Sequence, residues 1–245
     1  MQTRLDGRVF RITLDRPERR NALNEDLCLR LVAAFREAEQ DERTGAILLD
    51  ASGPMFCAGM DLDESLAADA VAKTSIHEEL FTVGARCSIP IVAAARGGAI
   101  AGGVGLVAQA HVVICDTGAT FGLPEVRIGM WPFVIWTSLV RALGERRALA
   151  LSLTGDRFSA AEAKEYGLVH HVVDAGDVAG EAESAARAIA ETSPSAVRRG
   201  MQLARQSREL DMNATVSLAA ALRSEQLKSA EYRDKVESIR AKRKR

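Results

Sequence analysis

The sequence predicts an α/β fold that carries a helical extension at its C-terminus. Short apolar runs of strand length alternate with amphipathic helical segments over roughly the first 175 residues. From about Gly176 onward no strand pattern remains, and several helical segments follow one another. The chain has 245 residues, 47% of them hydrophobic, which is long enough for one large domain with an appendage. We therefore predict a core over residues 1–190 and a helical region over residues 191–245.

The individual elements follow from periodicity and from capping residues. RVFRITLD alternates apolar and polar side chains and predicts a half-buried strand. NEDLCLRLVAAFREAEQ predicts a helix with Asn24 as its N-cap. AILLD, IVAAA and HVVIC have the length of buried strands, and LVHHVV alternates like another. In SAAEAKEYG, Ser159 and Glu162 have the spacing of a capping box, which predicts a further helix.

Composition excludes several classes of protein. The formal net charge of −1 favours neither a nucleic acid nor an anionic membrane as partner. No apolar run reaches 18 residues, and MQTRLDGRVF lacks the apolar stretch of a secretory signal, so we expect no membrane span and a cytoplasmic location. The 4 cysteines are scattered without a CxxC pair, which fits a reducing compartment and predicts no metal site.

The segment ARGGAIAGGVGLVAQA places glycines between an apolar strand and an apolar helix. Gly103, Gly105 and Ala108 match the dinucleotide pattern G-x-G-x-x-A, but the match does not start where the preceding strand ends. Alternatively, the glycines open a helix at Gly102, whose first N–H groups would face a ligand oxygen. The third interpretation is that the glycines only allow close packing of the helix against a strand.

A second turn rich in glycine, GPMFCAGMDL, follows the predicted strand AILLDAS. It can supply another backbone N–H group. Two N–H donors from separate loops that converge on one oxygen form an oxyanion hole, in which each donor contributes about 3–4 kcal/mol to lowering a reaction barrier. The two segments together therefore favour an enzyme that stabilises a carbonyl oxygen as it becomes negative.

Four stretches occur in a characteristic order: LDRPERRNALN, GPMFCAGMDL, GGAIAGGVGLVAQAHVVICDTGATFGLPEVRIGM and LTGDRFSAAEAKEYGLVHHVV. With them the sequence resembles the enoyl-CoA hydratase/isomerase family, also called the crotonase family. The resemblance implies a spiral of ββα units with a C-terminal helical trimerisation region. It also implies an acyl-CoA substrate, a homotrimer or a dimer of trimers, and no cofactor beyond the coenzyme A of the substrate.

The resemblance also implies the site residues. The backbone N–H groups of Met60 and Gly102 correspond to the two oxyanion donors, and Glu125 in GLPEV corresponds to an acid–base glutamate. Ala58 and Asp61 belong to the same motif as Met60 and are predicted at the coenzyme A site. For Asp61 we expect that the side chain anchors the loop by accepting backbone hydrogen bonds.

The C-terminal run RAKRKR is strongly basic. In the family a C-terminal helix meets the nucleotide of coenzyme A, and Lys242 is the residue that we predict to contact its phosphates. The alternative is a solvated helix end whose cations favour the negative pole of the helix. No aromatic residues are interleaved with the basic ones, so the run does not indicate nucleic-acid binding.

One of the two carboxylates of the family hydratases is missing from this sequence. Family hydratases carry a first glutamate where this sequence has Gly105, while the later glutamate is present as Glu125. Moving a double bond between C3 and C2 needs one base, whereas adding water divides its proton transfers between two carboxylates. The sequence therefore favours Δ3-Δ2 enoyl-CoA isomerisation. A hydratase with one glutamate, a decarboxylase or thioester hydrolase of the family, and a catalytically weak acyl-CoA-binding paralogue stay open.

Overall fold

The structure is a computed structural model that describes residues 1–66 and 74–243. The strands in these ranges are β1 (Gln2–Asp6), β2 (Val9–Leu14), β3 (Ala46–Ala51), β4 (Ile91–Ala94), β5 (Gly98–Ile100), β6 (Val112–Asp116), β7 (Thr120–Gly122), β8 (Arg157–Ser159) and β9 (His171–Val173). The helices are α1 (Glu25–Gln40), α2 (Leu62–Ser65), α3 (Thr74–Arg86), α4 (Gly102–Gln109), α5 (Trp136–Leu143), α6 (Glu145–Thr154), α7 (Ala160–Glu165), α8 (Val178–Ala190), α9 (Pro194–Gln206), α10 (Met212–Lys228) and α11 (Ala230–Arg243). Two 3₁₀ turns cover Pro17–Arg19 and Pro124–Ile128.

The strands form two sheets. The larger sheet has the order β1-β2-β3-β4-β6-β9, in which β1 and β2 are antiparallel and all further pairs are parallel. The smaller sheet has the order β5-β7-β8, with β5 parallel to β7. Ligands of open parallel sheets bind beyond the carboxyl ends of the strands. The segments that follow β3, β5 and β7 are therefore where a site is expected.

The larger sheet is covered on both faces, which explains why its central strands are apolar at consecutive positions. In β3, Ala46 and Leu48 pack in one buried cluster with Ala182 and Ala186 of α8. The intervening residues of β3 belong to the other cluster, which includes the buried face of α1. The four apolar residues of AILLD are accordingly buried, as predicted, and only Asp50 at its end is partly exposed.

Local capping signals correctly locate two helices. The Asn24 side chain accepts a hydrogen bond of 3.1 Å from the Leu27 N–H, so it is the N-cap of α1. Ser159 and Glu162 form the reciprocal capping box at the start of α7. The strand predicted in LVHHVV is shorter than the pattern and covers only β9.

The fold divides into two compact units, Met1–Ala190 and Glu191–Arg245. The second unit contains α9, α10 and α11. Within it, Gln226 of α10 accepts a hydrogen bond of 2.6 Å from Arg199 and donates one of 3.0 Å to Ser195, both on α9. The roles of this unit in oligomerisation and coenzyme A contact stay predictions.

The described residues show no disulfide, no metal-type cluster and no membrane-spanning helix. Cys28, Cys57, Cys87 and Cys115 are free and buried. Across residues 1–66 and 74–243, no three His, Cys, Asp or Glu side chains gather in the manner of a metal site. Among the helices that the structure describes, none combines the length and apolarity that crossing a bilayer requires.

Candidate active site

The loop that leads from β3 to Met60 is held by Asn21. Arg20 and Asn21 both adopt left-handed backbone conformations, with φ of 51° and 55°. This turn buries the Asn21 side chain completely. Its Oδ1 accepts from the Arg16 N–H at 2.8 Å, and its Nδ2 donates to the carbonyl oxygens of Ser52 and Met55 at 2.9 Å each. One amide side chain thus fixes the start of the 52–61 loop.

We expect Asn21→Ala to lower the free energy of unfolding by about 2–4 kcal/mol, because each of three lost hydrogen bonds contributes about 0.5–1.5 kcal/mol. Alanine is also disfavoured in the left-handed region that residue 21 occupies. Urea denaturation measures the effect. Asn21→Asp keeps the Oδ1 acceptor and tolerates the left-handed conformation, so it should lie between alanine and the wild type. Equal stability of all three proteins would contradict this role of Asn21.

Main-chain pairing determines the direction of the Met60 N–H. The Leu23 N–H donates to the Gly59 carbonyl oxygen at 2.7 Å, and the Asp61 N–H donates to the Leu23 carbonyl oxygen at 3.0 Å. Leu23 thus bonds to the residues on either side of Met60, so the N–H of Met60 itself points to the opposite side. The end of β5 also lies beside this loop, since the Ile100 N–H donates to the Cys57 carbonyl oxygen at 3.0 Å.

The second predicted donor, Gly102, is the first residue of α4. The residue before it, Ala101, has φ 51° and ψ −121°, a conformation that a residue with a Cβ adopts only under strain. The Ala101 N–H donates to the Gly122 carbonyl oxygen at 2.9 Å. Within the described ranges neither the Met60 N–H nor the Gly102 N–H donates a hydrogen bond. Both amides are therefore available to a ligand.

Gly59 is the point at which the two donor segments meet. It has φ +90°, and a methyl group added there would lie 2.8 Å from the Ile100 carbonyl oxygen and 3.2 Å from the Gly102 nitrogen. A methyl group on Gly102 would in turn meet Phe81 and Leu23 at 3.2 Å and 3.3 Å. The surroundings of the Gly102 amide are therefore apolar, which strengthens electrostatic interactions with a bound oxygen.

Asp61 anchors the loop differently from our expectation. Its buried carboxylate accepts from the side chains of Arg16 and Arg19, both at 3.2 Å, rather than from backbone N–H groups. Burial alone raises the pKa of Asp61, but the hydrogen bonds from the two guanidinium groups outweigh burial and hold this pKa below its ordinary value of 3.8. Guanidinium groups replace main-chain donors because LDRPERRN brings two arginines to the same turn.

We expect Asp61→Asn to destabilise the protein by about 1.5–3 kcal/mol at pH 7, the usual contribution of a hydrogen bond to a charged group. Because the folded state lowers the pKa of Asp61, this stabilisation is complete above about pH 4 and is lost as the pH falls through the lowered pKa. Urea midpoints between pH 2 and 8 measure it. Asp63→Asn is the control, since Asp63 also pairs with Arg19 but is 80% exposed. If the wild type and Asp61→Asn differ in stability by the same amount at every pH, the ionised Asp61 carboxylate does not provide this stabilisation.

The turn that carries Glu125 lies next to the segment that carries Gly102. β5 and β7 are parallel, with Ile100 opposite Gly122. Gly102 follows two residues after the end of β5, and Glu125 follows three residues after the end of β7. Parallel strands end at the same edge of a sheet, so both residues leave the small sheet on the same side.

The carboxyl group of Glu125 is partly buried and incompletely hydrogen-bonded. Its Oε2 is buried and has no hydrogen-bond partner among the described residues. Burial raises the pKa of Glu125 above its ordinary value of 4.5. A buried polar atom without a partner costs free energy, and perturbed pKa values cluster at functional sites, so Glu125 is a candidate functional residue.

The remaining predicted residues occupy different surroundings. Ala58 is half-buried, and its N–H donates to the Arg20 carbonyl oxygen at 2.9 Å, which helps to hold the loop. Lys242 lies in the other unit, near the end of α11, with an exposed side chain. Sequence reasoning missed the contributions of Phe81 and Ala101, because no local pattern reveals which distant side chain reaches a glycine or which backbone is strained.

The family is shown by comparison with known proteins. The family model described as enoyl-CoA hydratase/isomerase matches residues 4–245. The chain therefore belongs to the enoyl-CoA hydratase/isomerase family, and it is an enzyme of that family. Solved enoyl-CoA hydratases from Mycobacterium smegmatis and Bacillus anthracis superpose with a TM-score of 0.93. They are 28% and 27% identical in sequence, and each comparison covers 98% of this chain and 96% of the other. The α/β crotonase fold is thus confirmed.

Two curated relatives are similar over most of their length. The protein named "Probable enoyl-CoA hydratase echA8" of Mycobacterium tuberculosis is 36% identical over 79% of this chain and 76% of its own. The 2,3-dehydroadipyl-CoA hydratase of Escherichia coli is 32% identical over 84% of this chain and 82% of its own. Both names describe hydratases that act on CoA thioesters.

Proposed function

We propose that the protein catalyses Δ3-Δ2 isomerisation of an enoyl-CoA thioester. The observation that carries the proposal is the partly buried carboxylate of Glu125, which follows β7 beside the Gly102 segment and whose Oε2 accepts no hydrogen bond from the described residues. In the forward direction Glu125 removes a proton from C2 of a 3-enoyl-CoA. The electron pair moves into the thioester, whose oxygen becomes negative, and the proton then returns to C4 as the double bond moves to C2–C3.

The oxyanion is assigned to the N–H groups of Met60 and Gly102. An enolate oxygen needs donors that are already in position, because reorganising them during the reaction would raise the barrier. The strained Ala101 and the Leu23 pairing support this role, since both restrict the direction of these amides. Proton transfer within an acyl-CoA changes no oxidation state, so the proposed reaction needs no cofactor beyond the coenzyme A of the substrate.

Hydration of a 2-enoyl-CoA is the second candidate, and the names of the curated relatives favour it. Incubation with 2-enoyl-CoA and 3-enoyl-CoA, followed by separation of products by mass and retention, distinguishes the two. Isomerisation leaves the mass unchanged, whereas hydration adds the mass of water. Turnover of both substrates no faster than by Glu125→Gln would overturn both candidates in favour of an acyl-CoA-binding protein without activity.

We further propose a cytoplasmic homotrimer or dimer of trimers that binds neither nucleic acid nor membrane. The exposed apolar side chains of Ile128, Phe133 and Leu153, which are 60%, 68% and 64% exposed, support self-association. Lys242 is proposed to contact the coenzyme A phosphates, with Ala58 and Asp61 near the coenzyme A that enters beside Met60. Light scattering tests the oligomer, and the KM of Lys242→Ala tests the phosphate contact.

A further inference from the structure

The structure leaves no room for a side chain at Gly105. A methyl group added there would lie 2.3 Å from Ile135 Cγ2, 2.9 Å from Ile135 Cβ and 3.0 Å from Phe81 Cε1. Contacts under 3.0 Å to a Cβ are not tolerated without movement. The space that another side chain would need is therefore already filled by two apolar groups.

Ile135 and Phe81 are both firmly held. Ile135 is 2% exposed, and its carbonyl oxygen accepts from the Leu139 N–H at 3.0 Å in the first turn of α5. Phe81, on α3, is 4% exposed and also lies 3.2 Å from the position of a methyl group on Gly102. The same ring thus borders both Gly105 and the proposed oxyanion donor. Neither side chain can move aside without opening a cavity in the core.

We propose that Ile135 is a specificity-determining residue, and that with Phe81 it forms an apolar plug that excludes a second acid and its water from the site. The proposal rests on the proposed function, because it concerns the outcome of enolisation at Glu125. Residue 105 is thus a glycine because Ile135 occupies its side-chain space. Gly105 and Ile135 together determine whether the enzyme isomerises or hydrates its substrate.

The plug favours proton transfer over hydration for a physical reason. An ordered water needs two to four polar partners, and the side chains of Ile135 and Phe81 offer none. Water that attacks C3 must be held and deprotonated while C2 gains a proton. Ile135 and Phe81, which fill the side-chain space at Gly105, can do neither the holding nor the deprotonation of this water, so the dienolate is protonated at carbon.

The chemical test adds a carboxylate at residue 105 and removes the side chain of residue 135. Gly105→Glu/Ile135→Gly adds roughly as many atoms as it removes, and glycine is tolerated at residue 135 because this residue is the N-cap of α5. We expect the ratio of hydration to isomerisation in the double variant to exceed that of each single variant at least about tenfold, which is below the 10²–10⁴ that a positioned acid–base contributes. If Gly105→Glu alone shows the same ratio of hydration to isomerisation as the double variant, the proposal is overturned.

A second measurement needs no substrate. In most helices alanine is favoured over glycine, but here we expect Gly105→Ala to lower the melting temperature by about 3–10 °C because of overpacking. The loss should largely disappear in the Ile135→Gly background. It should persist in Ile135→Val, the matched control, since valine keeps both Cβ and a Cγ2 methyl group. If Gly105→Ala lowers the melting temperature equally with isoleucine, valine or glycine at residue 135, the proposed plug is wrong.

The two measurements separate the plug from the proposed function. Normal isomerase turnover together with no coupling between residues 105 and 135 in melting temperature would overturn the plug alone. Coupling in melting temperature without turnover of either enoyl-CoA would overturn the proposed function, and the role of Ile135 in reaction specificity would be overturned with it.

Discussion

Replacement of Glu125 by glutamine is expected to lower kcat about 10²–10⁴-fold, the contribution of a positioned general acid–base. Glutamine keeps the shape of the side chain but cannot accept the C2 proton. Substrate affinity should change little, because the proposed contacts to the thioester oxygen come from the backbone. Steady-state kinetics with 3-enoyl-CoA measure the effect. Glu165→Gln, in the exposed part of α7, is the control and should leave kcat unchanged.

The same substitution is expected to stabilise the fold at neutral pH. Burial raises the pKa of Glu125, so ionisation costs more in the folded than in the unfolded state. Wild-type stability therefore falls, relative to the glutamine variant, as the pH rises from about 4.5 through the raised pKa, and the difference is complete above it. A glutamine variant that is less stable than the wild type at pH 8 but equally active would contradict the role of Glu125.

Gly59→Ala is expected to lower kcat at least about 10²–10³-fold, the effect of losing one oxyanion donor. The added methyl group would lie 2.8 Å from the Ile100 carbonyl oxygen and 2.9 Å from Ala101 Cβ, so it must push the Met60 and Gly102 segments apart. Kinetics and thermal unfolding together measure the result, since the backbone strain also lowers the melting temperature.

Gly144→Ala provides the control for that strain. Gly144 also has a positive φ, of +76°, but a methyl group there meets nothing within 4 Å. Both alanine variants should therefore lose stability, whereas only Gly59→Ala should lose turnover. Equal kcat in the two variants would show that the approach of the Met60 and Gly102 segments does not matter for catalysis.

The sequence predicts those parts of the fold that depend on local signals. The N-cap at Asn24, the capping box at Ser159 and the start of α4 at Gly102 each need only neighbouring residues, and each is confirmed. By contrast, β1 is polar and exposed and is formed by pairing with β2, so its own pattern predicts nothing. The three-residue strands of the small sheet are too short to show a period.

The candidate site is predictable only in part for the same reason. The resemblance locates Met60, Gly102 and Glu125 along the chain because their motifs are local. It cannot show that Ile135 and Phe81 fill the space at Gly105, since these three residues lie on different helices or helix ends. The guanidinium partners of Asp61 were likewise missed, because sequence motifs do not show which side chains reach a buried carboxylate.

The central claim is that the Met60 and Gly102 amides stabilise an enolate formed by Glu125. The most direct measurement is hydrogen exchange at C2 of a saturated acyl-CoA in deuterated water, followed by mass spectrometry. This substrate has no double bond to move or hydrate, so exchange reports proton removal alone. The proposed mechanism predicts deuterium at C2 with the wild type and almost none with Glu125→Gln. Exchange by the wild type at the rate of the protein-free solution would contradict the mechanism.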